Sequence, residues 1–301
     1  MSDTTSHDVV VIGAGAAGLS AAKGTLRAGL STGWLEARMF GGLVLNVNEL
    51  DGSIRGSGAE LASIWLSEVA DLGGDNLEGE ASGVERRDDG LVVISDVGRH
   101  RARAVIVASG ATLKPLGIPG EAEFEHRGVS HCADCDGPMF QGQDVTVVGG
   151  GDSALQSALV LSRFCRKVYL VHRGSSFRAQ PHWLDAVSRT AAIDIRYNSE
   201  VGEVLGTEGV EGVRVNGEVI ACTGLFPFVG LQPASSFLPV GIERDGRGAI
   251  LTSADRETTL AGVFAAGAVR AGCGGSLEDA VADGEAAASA VATRLLAGRR
   301  D

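Results

Sequence analysis

Apolar residues along this chain fall in two alternating patterns. Val9-Val10-Val11-Ile12 is apolar at every position, which predicts a strand covered on both faces. From Leu19 to Ala28 the pattern becomes helical and stops at Gly29, and Thr32 to Leu35 predicts a second strand. Gly58 to Leu72 predicts an amphipathic helix with Leu61, Ile64, Trp65, Leu66 and Val69 on its apolar side. Two strands around a polar turn are expected near Gly83–Arg87 and Leu91–Val97, then a buried strand from Ala104 to Ala108.

The middle of the chain repeats the opening. Asp144 to Val148 is again a strand, a helix is expected to run to about Cys165, and Lys167 to Val171 is the strand after it. Ile193–Tyr197, Gly202–Gly206, Val213–Val215 and Glu218–Cys222 alternate as short strands, with Asn216-Gly217 as a hairpin turn. Leu225 to Val229 closes that series; a strand from Gly262 to Ala268 and an Ala-rich helix from Glu278 to Leu296 complete the chain. Pro115, Pro119 and Gly120 mark one link between domains, and Gly230-Leu231-Gln232-Pro233 marks the return. Strand and helix in this order predict an α/β protein.

Two of the strands run into glycine-rich turns. Gly13-Ala14-Gly15-Ala16-Ala17-Gly18 is G-x-G-x-x-G between a strand and a helix, where freed N–H groups and the helix dipole hold a pyrophosphate. The next strand ends at Glu36, 18 residues past Gly18, where a carboxylate accepts the ribose hydroxyls of an adenosine. Gly149-Gly150-Gly151-Asp152-Ser153-Ala154 is a G-x-G-x-x-A variant, and His172 again lies 18 residues past its last small residue. The chain therefore predicts two Rossmann-like dinucleotide-binding domains. In the second, Arg173 and Arg178 stand where the first has Glu36, which suits a 2′-phosphate and hence NADP. Met39-Phe40-Gly41-Gly42-Leu43 reads as a turn beneath a flavin ring, and the start of the last helix, near Ala280 to Ala286, as a dipole aimed at a flavin carbonyl.

Composition narrows the chemistry. With 301 residues the chain has room for two domains; its 44 glycines and 7 prolines suit close backbone turns rather than disorder. Its apolar runs are too short for a bilayer span, and the opening residues lack the pattern of a signal peptide, so a cytoplasmic protein is expected. A net charge of −12 speaks against nucleic acid or an anionic membrane as partner. Of five cysteines only Cys132 and Cys135 are close in sequence. A lone C-x-x-C reads as half a zinc site, a redox pair or a chance neighbour. No second pair of ligands stands at zinc spacing, so no metal is expected. Within His131-Cys132-Ala133-Asp134-Cys135-Asp136-Gly137, a dithiol passes two electrons while an acid directly after it carries the proton. The motif lies just before the second glycine-rich turn, and that setting favours the redox pair.

Taken together, Gly13–Gly18, Gly41-Gly42, Ala108-Ser109-Gly110-Ala111, Gly117-Ile118-Pro119-Gly120, the dithiol segment, Gly149–Ala154, His172-Arg173, Arg178-Ala179 and Gly262–Gly267 resemble the low-molecular-weight thioredoxin reductase family over essentially the whole chain. The resemblance implies two three-layer ββα-type domains, one inserted in the other: an FAD domain from residues 1–113 and 231–301 and an NAD(P) domain from 114–230 that carries the C-x-x-C motif. It implies a homodimer. It makes Cys135 the thiol beside the flavin, Cys132 the exchange thiol and Asp136 the acid/base. Gly13, Gly15, Ala16, Ala17, Gly18, Glu36, Gly41, Gly42 and Asn48 would contact FAD, with Ala108, Ser109, Gly110, Gly267, Ala268, Ser276 and Leu277. Gly149, Gly151, Asp152, Ser153, Ala154, His172, Arg173 and Arg178 would contact NADPH. Electrons would pass from NADPH through FAD and the Cys132–Cys135 disulfide to a thioredoxin-like protein or a small disulfide.

Three departures from the family pattern bear on this expectation. Gly174 leaves two of the family's three arginines, a loss of about 1.5–3 kcal/mol of contact to a 2′-phosphate. Ala268 replaces the aspartate that follows the late strand, and Ala271-Gly272-Cys273-Gly274-Gly275-Ser276-Leu277 replaces the segment after it, with Cys273 as a possible third redox thiol. Asp134 between the cysteines adds a like charge that raises both thiol pKa values. Competing readings are a dithiol oxidase that hands electrons to oxygen, a relative fed by ferredoxin or another donor in place of NADPH, and a non-catalytic FAD-binding regulator.

Overall fold

Val9, Val10 and Val11 are wholly buried, as a strand covered on both faces requires. They belong to β1 (Thr5–Ile12), which is followed by α1 (Ala16–Arg27), β2 (Thr32–Leu35), α2 (Gly58–Asp71), β3 (Ala81–Arg87), β4 (Gly90–Ser95) and β5 (Arg99–Val107). After these come α3 (Ala133–Asp136), β6 (Asp144–Gly149), α4 (Asp152–Leu161), β7 (Lys167–Val171), α5 (Pro181–Arg189) and β8 (Ile193–Arg196). The chain continues with β9 (Val201–Gly206), β10 (Val210–Val215), β11 (Glu218–Ala221), β12 (Gly224–Phe228), β13 (Val263–Ala265) and α6 (Leu277–Ala297). This computed structural model describes residues 5–47, 50–51, 54–88 and 90–297. The chain folds as two compact units, one up to Thr112 together with the part from Gln232 onward, the other Leu113–Leu231.

In the first unit the sheet runs from the short strand Asp75–Asn76 through β2, β1, β5 and β4 to β3. β1 pairs in parallel with β2 and β5, so all three strands end on one edge of the sheet. Val9 and Val11 enter one core with Ile106 and residues of α1 and α6; Val10 and Ile12 enter the other with Val105 and Val93. Burial of each such side chain contributes about 1.5–3 kcal/mol. β5 is longer than its apolar run. Its first half pairs antiparallel with β4 and its second half, Val105–Val107, pairs in parallel with β13. That second pairing brings the late strand to the centre of the sheet. The expected strand began only at Ala104, because Arg99, Arg101 and Arg103 alternate with buried His100 and Ala102 and mask a period of two.

α2 starts on a capping box between Ser57 and Glu60 and buries Ala62, Trp65 and Val69. Ile64, expected on its apolar side, is 56% exposed; it lies off the stripe set by the i, i+4 spacing of Leu61, Trp65 and Val69. α6 packs on α1 through small residues: a Cβ on Gly24 would stand 2.7 Å from the Ala288 methyl.

The second unit has a parallel sheet in the order β8-β7-β6-β12 and an antiparallel sheet β9-β10-β11. α4 ends at Leu161, not near Cys165, because the chain tightens there: Phe164 N and Cys165 N both donate to Leu161 O, and Phe164 turns over Gly137. α5 was not expected from the sequence; Pro181 in its first turn, ahead of Trp183, Leu184 and Val187, was the available signal. Among the described residues no helix is long and apolar enough to cross a membrane.

Candidate active site

One turn of helix sets the cysteine pair. Cys132 occupies the N-cap position of α3 in extended conformation, and Cys135 follows three residues later on the same side. Their Cα atoms are 5.3 Å apart and the two sulfurs are bonded as a disulfide. Cys135 N donates to Cys132 Sγ at 3.1 Å and Asp136 N donates to Cys132 O at 3.1 Å. Ala133, buried with Leu155 and Leu161, seats the turn on the core of the second unit. Gly137 is small for a reason, since a Cβ there would meet the Phe164 ring at 3.0 Å.

The turn is tied from its N-terminal side as well. Ser130 Oγ donates to Asp136 Oδ2 at 2.6 Å, and Cys132 N donates back to Ser130 Oγ at 3.2 Å. His131 Nε2 pairs with Glu125 Oε2 at 3.3 Å. Neither Ser130 nor Glu125 was singled out from the sequence, where a serine two residues before a cysteine carries no signal of its own.

Around the first glycine-rich turn the backbone is packed beyond the reach of any side chain. Gly13 has φ +104° and a Cβ on it would stand 2.3 Å from Ala108 O, and one on Gly18 would stand 1.8 Å from Gly13 O. α1 starts at Ala16 with Gly15 as N-cap and no side chain on its free N–H groups. Gly41 N donates to Ala14 O at 2.7 Å, and Gly42 lies against Gly15. Glu36, at the end of β2, accepts from Ala14 N at 2.7 Å and from Arg38 N at 3.1 Å. Ala108 N donates to Ile12 O, and Ser109 Oγ donates to Ala234 O, which leads β5 into Gly110 beside the same turn. Gly267, at φ +77°, sits 2.7 Å (as a notional Cβ) from the Ala17 methyl, and Ala268 follows it in a short 3-10 turn. An uncapped helix start, glycine wherever a Cβ would collide and a carboxylate at the strand end fit the diphosphate and ribose of a dinucleotide such as FAD. Asn48 lies outside the described residues.

The start of α6 differs from the expectation. The helix begins at Leu277, so Ala280 to Ala286 lie within it, and Ser276 and Asp279 cap it reciprocally: Asp279 N donates to Ser276 Oγ at 3.0 Å and Ser276 N to Asp279 Oδ2 at 3.1 Å. Farther along, Asp283 is almost fully buried. It accepts from Gly267 N at 2.8 Å, from Arg270 Nε at 2.7 Å and a second Arg270 nitrogen at 2.8 Å, and from Arg256 Nε at 2.6 Å. Burial pushes its carboxyl upward, but Arg270, Gly267 and Arg256 together outweigh that and hold it below the usual carboxylate range.

The second turn is built on the same plan. A Cβ on Gly149 would stand 2.4 Å from Phe228 O, α4 has Gly151 as N-cap with no side-chain cap, Ser153 follows in its first turn, and Ala154 is fully buried. Asp152 is turned to Gln180, accepting from its N at 2.7 Å and Nε2 at 2.9 Å. The His172 ring lies on Gly150, whose notional Cβ would meet it at 2.3 Å, and His172 Nε2 donates to Ser176 O at 2.9 Å. Arg178 N donates to Gly150 O at 2.7 Å. The guanidinium groups of Arg173 and Arg178 are exposed and pair with no carboxylate among the described residues, which fits an anionic nucleotide such as NADPH. Gly174 has its own reason: a Cβ there would stand 2.9 Å from His172 Nε2.

The remaining cysteines are of another kind. Burial pushes the thiols of Cys165 and Cys222 up to about 11, and Thr146 donates to the Cys222 sulfur. Burial raises Cys273 as well, which disfavours a third redox thiol. Among the described residues no cluster of His, Cys, Asp or Glu is suited to a metal ion.

The pyridine nucleotide-disulphide oxidoreductase family model matches residues 7–288. A thioredoxin reductase of Treponema pallidum is 37% identical over 301 residues, covering 97% of this chain and 98% of the relative. The crystal structure of Lactococcus lactis thioredoxin reductase aligns with a TM-score of 0.91 at 35% identity over 96% of this chain and 99% of that one. That of T. acidophilum thioredoxin reductase aligns with a TM-score of 0.91 at 31% identity over 97% and 99%.

Proposed function

The chain belongs to the low-molecular-weight thioredoxin reductases, within the pyridine nucleotide-disulphide oxidoreductase family, and on that premise we propose that it reduces the disulfide of a thioredoxin-like protein. The family uses FAD and NADPH, which when bound supply a hydride and relay two electrons. The observation that carries the proposal is the Cys132–Cys135 disulfide on a single helical turn, with Asp136 next in the chain and its carboxylate held by Ser130.

The chain's own residues then have separate tasks. Residues Gly13–Gly18 with Glu36, and Gly149–Ala154 with Arg173 and Arg178, hold one dinucleotide each. Two electrons entering the Cys132–Cys135 bond break it and leave two sulfur anions; a proton held at Asp136 neutralises one of them. Cys132 is the exchange thiol on this reading and Cys135 the resolving one. Asp134 adds a negative charge on the same turn, which disfavours a second anion there. The family likeness supports a homodimer in which each chain carries both sites.

Anaerobic mixing of the purified protein with NADPH, NADH or a dithiol tests the proposal by bleaching of the flavin absorbance. Rapid bleaching by NADPH, with turnover of a thioredoxin disulfide that Cys135→Ser abolishes while FAD stays bound, is the expected result. Bleaching by dithiol alone, followed by reoxidation in air, identifies a dithiol oxidase and overturns the proposal.

A further inference from the structure

We infer that Ser130 is a positioning residue for the redox pair, its hydroxyl holding the Asp136 carboxylate in fixed register with the Cys132 backbone. The inference rests on the reading of Asp136 as the acid/base. Ser130 is buried, 5% exposed, and its hydroxyl has a single proton. That proton goes to Asp136 Oδ2 at 2.6 Å, and the oxygen accepts Cys132 N–H at 3.2 Å. One side chain thus joins the acid to the residue that opens the disulfide turn. Its backbone is held in turn: Ser130 N donates to Leu225 O at 3.0 Å, and Leu225 N donates to Gly128 O at 2.8 Å. The segment before the cysteines is seated on the edge of β12, so the hydroxyl is placed by a sheet and not by a loop.

The chemistry needs such an anchor. In the exchange, a Cys132 thiolate attacks one sulfur of an external disulfide, whose S–S bond breaks and releases one thiolate. Cys135 then attacks the Cys132 sulfur of the mixed disulfide; the Cys132–Cys135 bond forms and the second external thiolate leaves. Two electrons have passed from the dithiol to the external disulfide, and the Cys135 proton has passed to Asp136. Ser130 occupies Oδ2 as a donor, which leaves Oδ1 as the oxygen to receive that proton. Among the described residues, the other titratable groups on this segment are Asp134 and the pair His131–Glu125. α4 meets the turn with Leu161, and Phe164 just past its end covers Gly137, so that side is apolar.

The test uses full-length holoprotein reduced by dithiothreitol, freed of excess reductant and mixed anaerobically with 5,5′-dithiobis(2-nitrobenzoic acid) across a pH series. Ser130→Ala is expected to slow release of the aromatic thiolate about tenfold near neutral pH and to move the pH–rate profile upward by about one unit, the size expected for loss of one charge-assisted hydrogen bond. Ser130→Thr, which keeps the hydroxyl, restores the profile. In an Asp136→Asn background Ser130→Ala costs nothing further, whereas a merely structural serine would cost the same in both backgrounds. Should Ser130→Ala fail to fold, Ser130→Gly is read by the same two comparisons. A Ser130→Ala profile superimposable on that of the parent, or an equal loss in both backgrounds, overturns the inference. If the parent dithiol itself fails to close on the reagent, the redox reading of the pair falls and this inference falls with it.

Discussion

The Asp283 carboxylate accepts the backbone N–H of Gly267 at 2.8 Å, so a residue of α6 holds the glycine turn that ends β13. Ala268, next in the chain, has no carboxylate, and Asp283 brings one to the same turn from 16 residues away, in company with Arg256 and Arg270. Because the folded carboxyl titrates below its ordinary value, the contribution is fully present above the unfolded pKa of about 3.9 and is lost as pH falls through the folded value. Asp283→Asn should therefore cost about 3–5 kcal/mol at neutral pH by leaving two arginines uncompensated, and should flatten the acid side of the stability curve. Thermal melts of the parent and the variant from neutral pH down to about pH 2, through the window in which the depressed carboxyl protonates, check both points.

Gly284, the next residue, braces the opposite wall. A Cβ on it would stand 2.2 Å from Ala17 O, in the first turn of α1. Backbone cannot yield as a methyl can, so Gly284→Ala should push α6 off that turn at a cost of about 1–3 kcal/mol. Gly24→Ala, which meets only the Ala288 methyl at 2.7 Å, should cost less. Since α1 opens at the phosphate-binding turn, Gly284→Ala is also expected to release FAD more readily, measured as free flavin fluorescence after gel filtration. Retention equal to that of Gly24→Ala would separate the helix packing from the site.

Thiol reactivity separates the cysteines by environment. With thiols raised to about 11, Cys165 and Cys222 are ionised at about one part in a thousand at pH 8. Alkylation of the native protein at that pH should be slow at both. Reduction should then add two fast sites, at Cys132 and Cys135, where Cys135 is exposed. Peptide mass spectrometry after a short pulse of iodoacetamide reads this directly, and fast labelling of Cys222 in the folded protein would contradict its burial.

Much of the architecture was legible because burial leaves a strand few polar positions: β1, β2, β6 and β7 stand out as short, mostly apolar runs. The glycine turns were legible for a steric reason, since Gly13, Gly18 and Gly149 each face a carbonyl oxygen that no Cβ can approach. What stayed hidden depends on partners distant in sequence. Asp283 reads as one acid in an Ala-rich helix until Arg256, 27 residues before it, is seen on its carboxylate. Ser130 reads as a loop serine until Asp136 turns back to it through one turn of helix. The first half of β5 and the whole of α5 escaped because charged or mixed sequences hide their period when only half the side chains are buried.

Nucleotide preference is where the two arginines and Gly174 make opposing demands. Arg173 and Arg178 are exposed and pair with no carboxylate among the described residues, while a side chain at position 174 would press on His172, whose ring already lies over Gly150. Arg173→Ala or Arg178→Ala should each raise KM for NADPH about ten- to a hundredfold, the value of one charge-assisted contact, and leave KM for NADH nearly unchanged. Gly174→Arg supplies a third charge but displaces the imidazole that Ser176 O now holds at 2.9 Å, so its gain for NADPH should fall short of the loss at either arginine. Steady-state kinetics with both nucleotides at two ionic strengths would decide it: a charge contact weakens with salt for NADPH alone, and equal effects on both nucleotides would place the two arginines away from the 2′-phosphate.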